Sequence, residues 1–206
     1  MVQPDFSGVT LAGGSFVFRQ QSFYIDRLPD QDTGYFKYEL KQGNQVIGTA
    51  KCQSARLIQT NLATPGVLVG TVDPMLIQLY DGQCHWIETL QIFPAFRGQG
   101  YGSLWLDCLC NMLQSEAKLP IALSADATWD NSNPFTSKQL NDWYERHGFL
   151  QFPGTEGLFD LRVRDDPQRE QTLMRVQQLI ADINADMRAT LATLDSVNDK
   201  PAKEFE

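Results

Sequence analysis

Three glycines on alternate positions, Gly98, Gly100 and Gly102, constrain the fold of this 206-residue chain more than any other feature. An apolar, β-branched run, IETLQIF, ends shortly before them, and a run with helical spacing, GSLWLDCLCNML, begins at the third glycine. Proteins build phosphate cradles in the order strand, glycine loop, helix, because residues without side chains let backbone N–H groups approach an anion closely. The sequence therefore predicts a phosphate-binding loop.

Two common glycine motifs do not fit this loop. A dinucleotide fingerprint, G-x-G-x-x-G, would need glycine at Ser103 if it began at Gly98, or at Trp105 if it began at Gly100. A nucleotide P-loop needs glycine and lysine followed by serine or threonine, a triplet that the chain lacks. The spacing that does fit is Arg-x-x-Gly-x-Gly, which starts at Arg97 and ends at Gly102.

The elements around the loop indicate an α/β or α+β sheet domain that closes near Arg164. Short β-rich runs near the N-terminus precede a hairpin around Gly43, and the less regular residues 55–83 are predicted to be an insertion. After the loop come a helix, a buried strand PIALSADA, a second helix capped by Thr136 or Ser137, and a last strand LFDLRVR. We therefore expect one domain over residues 1–164.

Residues 165–206 differ in composition and are predicted to form a helical extension with a disordered end. An apolar seam repeats every seven residues, with a second set between: Leu173, Ile180, Met187 and Leu194, then Val176, Ile183 and Thr190. Such a seam favours a homodimer formed through the helix. The alternative is an amphipathic helix that packs on its own domain.

Charge and cysteine content exclude several classes of protein. The net charge of −8 disfavours binding to nucleic acid or to an anionic membrane surface. The start of the chain has no leader pattern, and no apolar run is long enough to span a membrane. The four cysteines lack zinc-site spacing, so we expect reduced thiols, no metal and a cytoplasmic location: Cys52, Cys84, Cys108 and Cys110.

At Arg97 to Gly102 the sequence resembles the GNAT N-acetyltransferase superfamily, whose pyrophosphate loop has the form Gln/Arg-x-x-Gly-x-Gly/Ala. A second family signature, a helix that ends in Tyr-x-x-x-Gly-Phe, occurs from Tyr144 to Phe149. The two signatures stand in the family's order, and the resemblance covers roughly residues 35–164. It implies a GNAT-like mixed, mostly antiparallel central sheet flanked by helices, to which the C-terminal amphipathic helix is added.

The resemblance implies acetyl-CoA as co-substrate and assigns residues to it. The strand before the loop would contact the acyl and pantetheine portions through Leu90, Gln91 and Ile92. The loop and the start of the helix would hold the pyrophosphate through Arg97, Gly98, Gln99, Gly100, Tyr101, Gly102 and Ser103. Ser137 stands where relatives often have an asparagine that contacts coenzyme A, and Gln99 replaces the usual basic residue of the loop.

The same resemblance suggests the groups that transfer protons. Tyr144 corresponds to the tyrosine that protonates the leaving thiolate, and Glu88 stands where many relatives have a glutamate that binds or deprotonates the amine. Asp126, His85 and His147 are weaker candidates for the base, and we expect His147 to lie on the surface.

The implied activity is acetyl-CoA-dependent N-acetylation of a primary amine by direct attack in a ternary complex. A small amine is favoured over a protein N-terminus or a lysine. Residues 55–83 would help to form the acceptor site, because the N-terminal part is short for the pair of helices that the family has there. The alternative function is a non-catalytic acyl-CoA-binding module or a dimerising scaffold.

Overall fold

The computed structural model describes residues 4–28, 35–55, 58, 79–81, 83–125, 135–153 and 160–198. The strands of this part of the chain are β1 Val9–Thr10, β2 Gly13–Phe18, β3 Gln21–Arg27, β4 Phe36–Gln42, β5 Gln45–Gln53, β6 His85–Ile92, β7 Ile121–Ser124, β8 Leu150–Gln151 and β9 Leu161–Arg164. The helices with described bounds are α1 Tyr101–Glu116, α2 Ser137–Arg146 and α3 Arg169–Asn198. A 3-10 turn spans Pro94–Phe96.

The strands form one mixed and mostly antiparallel sheet, in the order β1-β2-β3-β4-β5-β6-β7-β9-β8. Strands β6 and β7 run parallel and are connected through α1, whereas the other paired strands run antiparallel. The hairpin predicted around Gly43 is formed by β4 and β5, and Gly43 has the positive φ of 59° that its turn requires. The expected fold class is confirmed.

The larger core lies between α1 and one face of the sheet. The apolar residues spaced by three and four along α1 are all buried, as their periodicity predicted: Leu104, Trp105, Leu106, Leu109, Met112 and Leu113. The Trp105 indole also donates a hydrogen bond to the carbonyl of Thr49 on β5, at 3.2 Å. Trp143 and Tyr144 of α2 pack against the same core, so α1 and α2 cover the same face.

The first half of α3 covers the opposite face. In β7, Leu123 belongs to the larger core and its neighbour Ala122 to a second core, as expected for successive residues of a strand. Val176 is buried in the second core, and Leu173 and Ile180 pack against its edge. The positions of the heptad seam in this half are therefore occupied by the protein's own domain.

Two apolar side chains in the second half of α3 are uncovered. Met187 is 56% exposed and Leu191 is 57% exposed. Of the two predictions for the seam, packing on the protein's own domain holds for the first half of the helix. Self-association can involve the second half and stays a prediction.

Several expectations fall wholly or partly outside the described residues. Most of the insertion at 55–83 lies outside them, as do Asp126 and the chain end after Asn198.

All four cysteines are buried and free. Within the described ranges, no cluster of three or more metal-binding side chains is present. No helix in the same ranges is long and apolar enough to cross a membrane.

Candidate active site

Strand β6 parts from β7 halfway along its length. The parallel pairing joins residues 85–87 to residues 121–123, and its last rung is Ile87 opposite Leu123. Strand β6 continues to Ile92, paired with β5 on its other side only, while β7 ends at Ser124. A strand edge without a partner exposes unpaired N–H and C=O groups. The described residues therefore form an open edge along the second half of β6.

A β-bulge lies where the two strands part. Ile87 pairs with Cys52 and Thr89 pairs with Lys51, so Glu88 is an extra residue in β6. A bulge bends its strand and redirects the side chains. The Glu88 carboxylate accepts a hydrogen bond from the Lys51 ammonium group at 3.1 Å, and that ammonium lies 4.0 Å from the centre of the Tyr35 ring. Sequence reasoning selected Glu88 but missed Lys51.

The glycine loop follows directly from the open edge. Gly98 and Gly100 have φ angles of 77° and 85°, in the left-handed region that glycine adopts at low cost. A Cβ atom added to either glycine would have no described atom within 4 Å. Glycine is therefore needed at these two positions for their positive φ angles and not for lack of space. At Gly102 an added Cβ would lie 3.7 Å from the Trp143 ring.

The first turn of α1 presents backbone donors beside the loop. Leu104 N–H donates to the carbonyl of Gly100 at 3.2 Å, which is the first hydrogen bond of the helix. The N–H groups of Tyr101, Gly102 and Ser103 precede that bond and have no acceptor within the helix. They lie at the positive end of the helix dipole, where an anion is stabilised.

Two side chains assigned to the cofactor have structural partners. The Arg97 Nε donates to the carbonyl of Ile92 at 2.9 Å and so ties the loop to the end of β6. The Tyr101 side chain is buried, and its ring meets Phe23 edge-on at 5.7 Å. Tyr101 therefore offers its backbone to the loop, and the carbonyl of Ile92 keeps one lone pair for a further donor.

A hydrogen-bonded chain links α1 to α2 beside the loop. The Ser103 hydroxyl accepts from the Trp143 indole N–H at 3.1 Å and lies 2.9 Å from His147 Nε2. His147 Nδ1 lies 3.1 Å from a carboxylate oxygen of Asp107. The expectation that His147 lies on the surface is wrong: its side chain is only 15% exposed and bonds to two residues of α1. Nothing in the sequence pairs residues 103 and 147, so periodicity could not reveal this contact.

The tautomer of His147 sets the direction of the Ser103 hydroxyl. If neutral His147 donates from Nδ1 to Asp107, its Nε2 accepts the Ser103 proton.

Tyr144 lies in the last turn of α2, packed between two aromatic rings. Its ring centre is 4.8 Å from that of Trp143 and 5.9 Å from that of Phe149. Burial raises the pKa of Tyr144 to about 12, while the nearby Arg162 guanidinium acts in the opposite direction. The phenol is therefore protonated at neutral pH, as a proton donor must be.

The start of α2 distinguishes the two residues proposed to cap it. Thr136 is the N-cap: its side chain accepts from the N–H of Gln139, and the Gln139 side chain accepts from the N–H of Thr136. This reciprocal arrangement is a capping box. Ser137 is the first residue of the helix and is exposed, so its hydroxyl is accessible at the helix start.

His85 has a structural role. Its Nδ1 accepts from the N–H of Ala55 at 3.0 Å, and its Nε2 donates to the carbonyl of Ala117 at 2.9 Å. Burial lowers the pKa of His85, so the neutral ring is favoured. Both ring nitrogens are thus used by the backbone, and His85 has none left for proton transfer. Asp126, the other alternative base, is outside the described residues.

Solved structures similar to this chain include putative acetyltransferases of the GNAT family, the family that its two motifs resemble. One, from Bacteroides thetaiotaomicron, is 17% identical, covers 73% of this chain and 75% of its own, and has a TM-score of 0.39. The ribosomal-protein-S18-alanine N-acetyltransferase from Escherichia coli is 17% identical over 65% and 68% of the two chains, with a TM-score of 0.38. Arabidopsis thaliana Naa50, in complex with the bisubstrate analogue CoA-Ac-MVNAL, is 15% identical over 62% and 69%, with a TM-score of 0.36.

No protein-family model and no curated protein matches the sequence. The identities to solved structures are below 20%, and the TM-scores are below 0.5. Likeness at this level carries no inference about activity. The function has to come from the residues of this chain.

Proposed function

We propose that this chain is an acetyl-CoA-dependent N-acetyltransferase of the GNAT type. The observation that carries the proposal is the continuity between the open edge of β6 and the glycine loop that leads into α1. An open strand edge recognises an extended amide chain, and a glycine loop before a helix recognises a pyrophosphate. Coenzyme A contains both groups on one chain, with the thioester at the far end of its amide arm.

The proposed cofactor contacts follow the chain from strand to helix. Leu90 and Gln91 would pair with the pantetheine amides along the open edge. Ile92 would contact the same arm through the second lone pair of its carbonyl, because Arg97 occupies only one. The pyrophosphate would rest on backbone N–H groups of the loop and the first helical turn: Gly98, Gln99, Gly100, Tyr101, Gly102 and Ser103. The Ser137 hydroxyl, at the start of α2, would bind a more distal part of coenzyme A.

In the proposed reaction, Tyr144 is the general acid. The amine nitrogen attacks the acetyl carbon, the carbon–sulfur bond breaks, and the sulfur takes the phenolic proton. Glu88 would bind the amine or remove its proton, directly or through a water molecule. To do so it must release Lys51, which an incoming cationic amine can replace as the partner of the carboxylate. No covalent acyl-enzyme is required.

The acceptor is proposed to be a small primary amine, with a protein N-terminus or lysine as the second choice. Residues 1–164 would form the catalytic domain and residues 165–206 a helical extension that allows a homodimer. The proposed location is the cytoplasm, where free thiols such as the four in this chain stay reduced.

Thermal unfolding with a series of ligands tests the proposal. A ligand at about 100 times its dissociation constant adds roughly 2.7 kcal/mol to the free energy of unfolding. At about 2–4 °C per kcal/mol, acetyl-CoA should raise the melting temperature by about 5–11 °C. NAD and ATP should not, and acetyl-pantetheine, which lacks the pyrophosphate, should do so less. No shift with millimolar acetyl-CoA would refute the proposal.

A second assay separates an enzyme from a binding module. Thiol release from acetyl-CoA should depend on an added amine, and a panel of small amines, peptides and proteins identifies the acceptor. Binding without amine-dependent thiol release would favour the non-catalytic alternative.

A further inference from the structure

Lys51, Glu88 and Tyr35 form a cluster at the point where β6 parts from β7. The Lys51 ammonium lies 3.1 Å from a carboxylate oxygen of Glu88 and 4.0 Å from the centre of the Tyr35 ring. Lys51 pairs with Thr89, and Glu88 and Thr89 directly follow Ile87, whose rung with β7 is the last in the described part of the sheet. The cluster therefore lies beside the start of the open edge of β6.

The cluster is on the face of the sheet opposite α1. Ala50 and Cys52, the neighbours of Lys51 in β5, both belong to the larger core beneath α1. Successive residues of a strand point to opposite faces, so the Lys51 side chain points away from that core. Tyr35 packs against the edge of the second core, which lies on this other face. An amine can therefore approach the open edge from the face that α1 does not cover.

Glu88 and Tyr35 supply two groups that attract an ammonium. A carboxylate binds it through a charge-assisted hydrogen bond, and the face of an aromatic ring binds it through the ring quadrupole. Lys51 fills the site between them with its own ammonium, carried on a four-carbon stem. The Lys51 side chain is 25% exposed and that of Glu88 is 34% exposed, so solvent reaches the pair. An ion pair with this exposure contributes little to stability, so another cation can replace Lys51 at low cost.

We infer that Glu88 and Tyr35 form the ammonium site for the acceptor, and that Lys51 is an internal ligand that competes for it. The inference rests on the proposed function and names its substrate class, a primary amine that arrives as a cation. The acceptor displaces Lys51, and Glu88 takes one ammonium proton, which frees the nitrogen lone pair to attack the acetyl carbon. The carbon–sulfur bond breaks as the sulfur takes the Tyr144 proton. The internal ligand lowers the apparent affinity for the acceptor, because only the molecules in which Lys51 has left the site can bind it.

Binding of n-butylammonium tests the site without turnover, since this ion reproduces the stem and ammonium of Lys51. Its dissociation constant, measured by NMR titration, should fall by about two- to fivefold in Lys51→Met, because no partly exposed ion pair then has to be broken. Lys51→Arg keeps a cation in the site and should bring no gain. The neutral probe n-butanol should not gain affinity in any variant. The control Lys41→Met removes a lysine of similar exposure, bound to Asp26 and Glu39, and should leave the constant unchanged.

The two walls of the site are tested separately. In the Lys51→Met background, Tyr35→Leu removes the ring and should raise the dissociation constant of n-butylammonium by about two- to fivefold. Tyr35→Phe keeps the ring face and should leave it unchanged. In the Glu88→Gln background, Lys51→Met should bring no gain, because the carboxylate for which the two cations compete is absent. Thermal unfolding of each variant checks that it is folded.

Kinetics distinguish failure of the site from failure of the proposed function. With acetyl-CoA present, Lys51→Met should lower the KM for a cationic amine by about two- to fivefold, and kcat should change less than KM. An unchanged n-butylammonium constant in Lys51→Met, or an equal gain in Lys41→Met, would overturn the inference. If Lys51→Met binds n-butylammonium more tightly but no amine is acetylated, the proposed function is wrong and the cation site stands. Amine-dependent thiol release that Lys51→Met leaves unaltered, together with an unaltered n-butylammonium constant, refutes the cation site alone.

Discussion

Replacing Gly100 with alanine separates the role of the loop in folding from its role in binding. Gly100 has φ 85° and ψ 2°, and an added Cβ would have no described atom within 4 Å. The substitution therefore introduces backbone strain without a steric clash. The left-handed conformation costs an L-residue about 1–2 kcal/mol. Alanine also lowers the conformational entropy of the unfolded chain, which stabilises the folded state by about 0.4–1 kcal/mol.

The expected net loss is thus about 1 kcal/mol in the free energy of unfolding, or about 2–4 °C in melting temperature. We expect Gly100→Ala to weaken acetyl-CoA binding more than it lowers the free energy of unfolding. The new methyl group would stand in the open space where the pyrophosphate must approach the N–H groups. Loss of hydrogen bonds to a charged group is worth about 1.5–3 kcal/mol, so the dissociation constant for acetyl-CoA should rise by about tenfold or more.

The hairpin between β4 and β5 offers a matched control in Gly43. It has φ 59°, and an added Cβ there also has no described atom within 4 Å. Gly43→Ala should lower the melting temperature by a similar amount and leave binding unchanged. Calorimetric titration of both variants with acetyl-CoA and acetyl-pantetheine is the assay. If Gly100→Ala binds acetyl-CoA as tightly as the unmodified chain, or if both variants lose affinity equally, the loop does not hold the pyrophosphate.

Three further predictions concern the acid, one histidine and the exposed helix. Tyr144→Phe should lower kcat by about 10²–10⁴-fold and spare acetyl-CoA binding, measured by steady-state kinetics and calorimetry. Burial lowers the pKa of His85 in the folded state, so the unfolded state binds a proton at higher pH. The free energy of unfolding should therefore fall as the pH drops below about 6.5, and chemical denaturation at a series of pH values can measure this fall. If the second half of α3 forms a homodimer, Met187→Glu combined with Leu191→Glu should yield a monomer in sedimentation.

Each of these predictions has a control on the same molecule. Tyr24→Phe removes an exposed phenol and should leave kcat unchanged. Met174→Glu places a charge on an exposed side chain of the first half of α3 and should not alter sedimentation. A His85→Gln variant that retains the whole pH dependence of unfolding would refute the assignment to His85. A wild-type chain that sediments as a monomer would remove the dimer from the proposal.

Much of the fold could be predicted from the sequence, because local rules decided it. The three-and-four spacing along α1 defined the buried face of that helix, and turn chemistry located the β4–β5 hairpin at Gly43. The need for positive φ at Gly98 and Gly100 is a property of glycine itself, so the loop could be recognised before any tertiary contact was known. Among the candidate site residues, Tyr144 came from a motif with fixed spacing, and Glu88 came from its position on the strand in the family resemblance.

Other features of the site depend on contacts between residues that are far apart in the chain, and only the tertiary structure shows these contacts. The parting of β6 from β7 and the bulge at Glu88 follow from strand register, which pairs residues far apart in the chain. The same holds for the contact of His147 with the first turn of α1. In the run LRVR, Arg162 alternates with apolar residues like a solvent-facing side chain, yet α2 covers it. The sequence by itself determined the elements and the loop. The side chains that surround the proposed chemistry were settled by sheet register and helix packing, because period-2 alternation shows that two faces differ but not what covers each face.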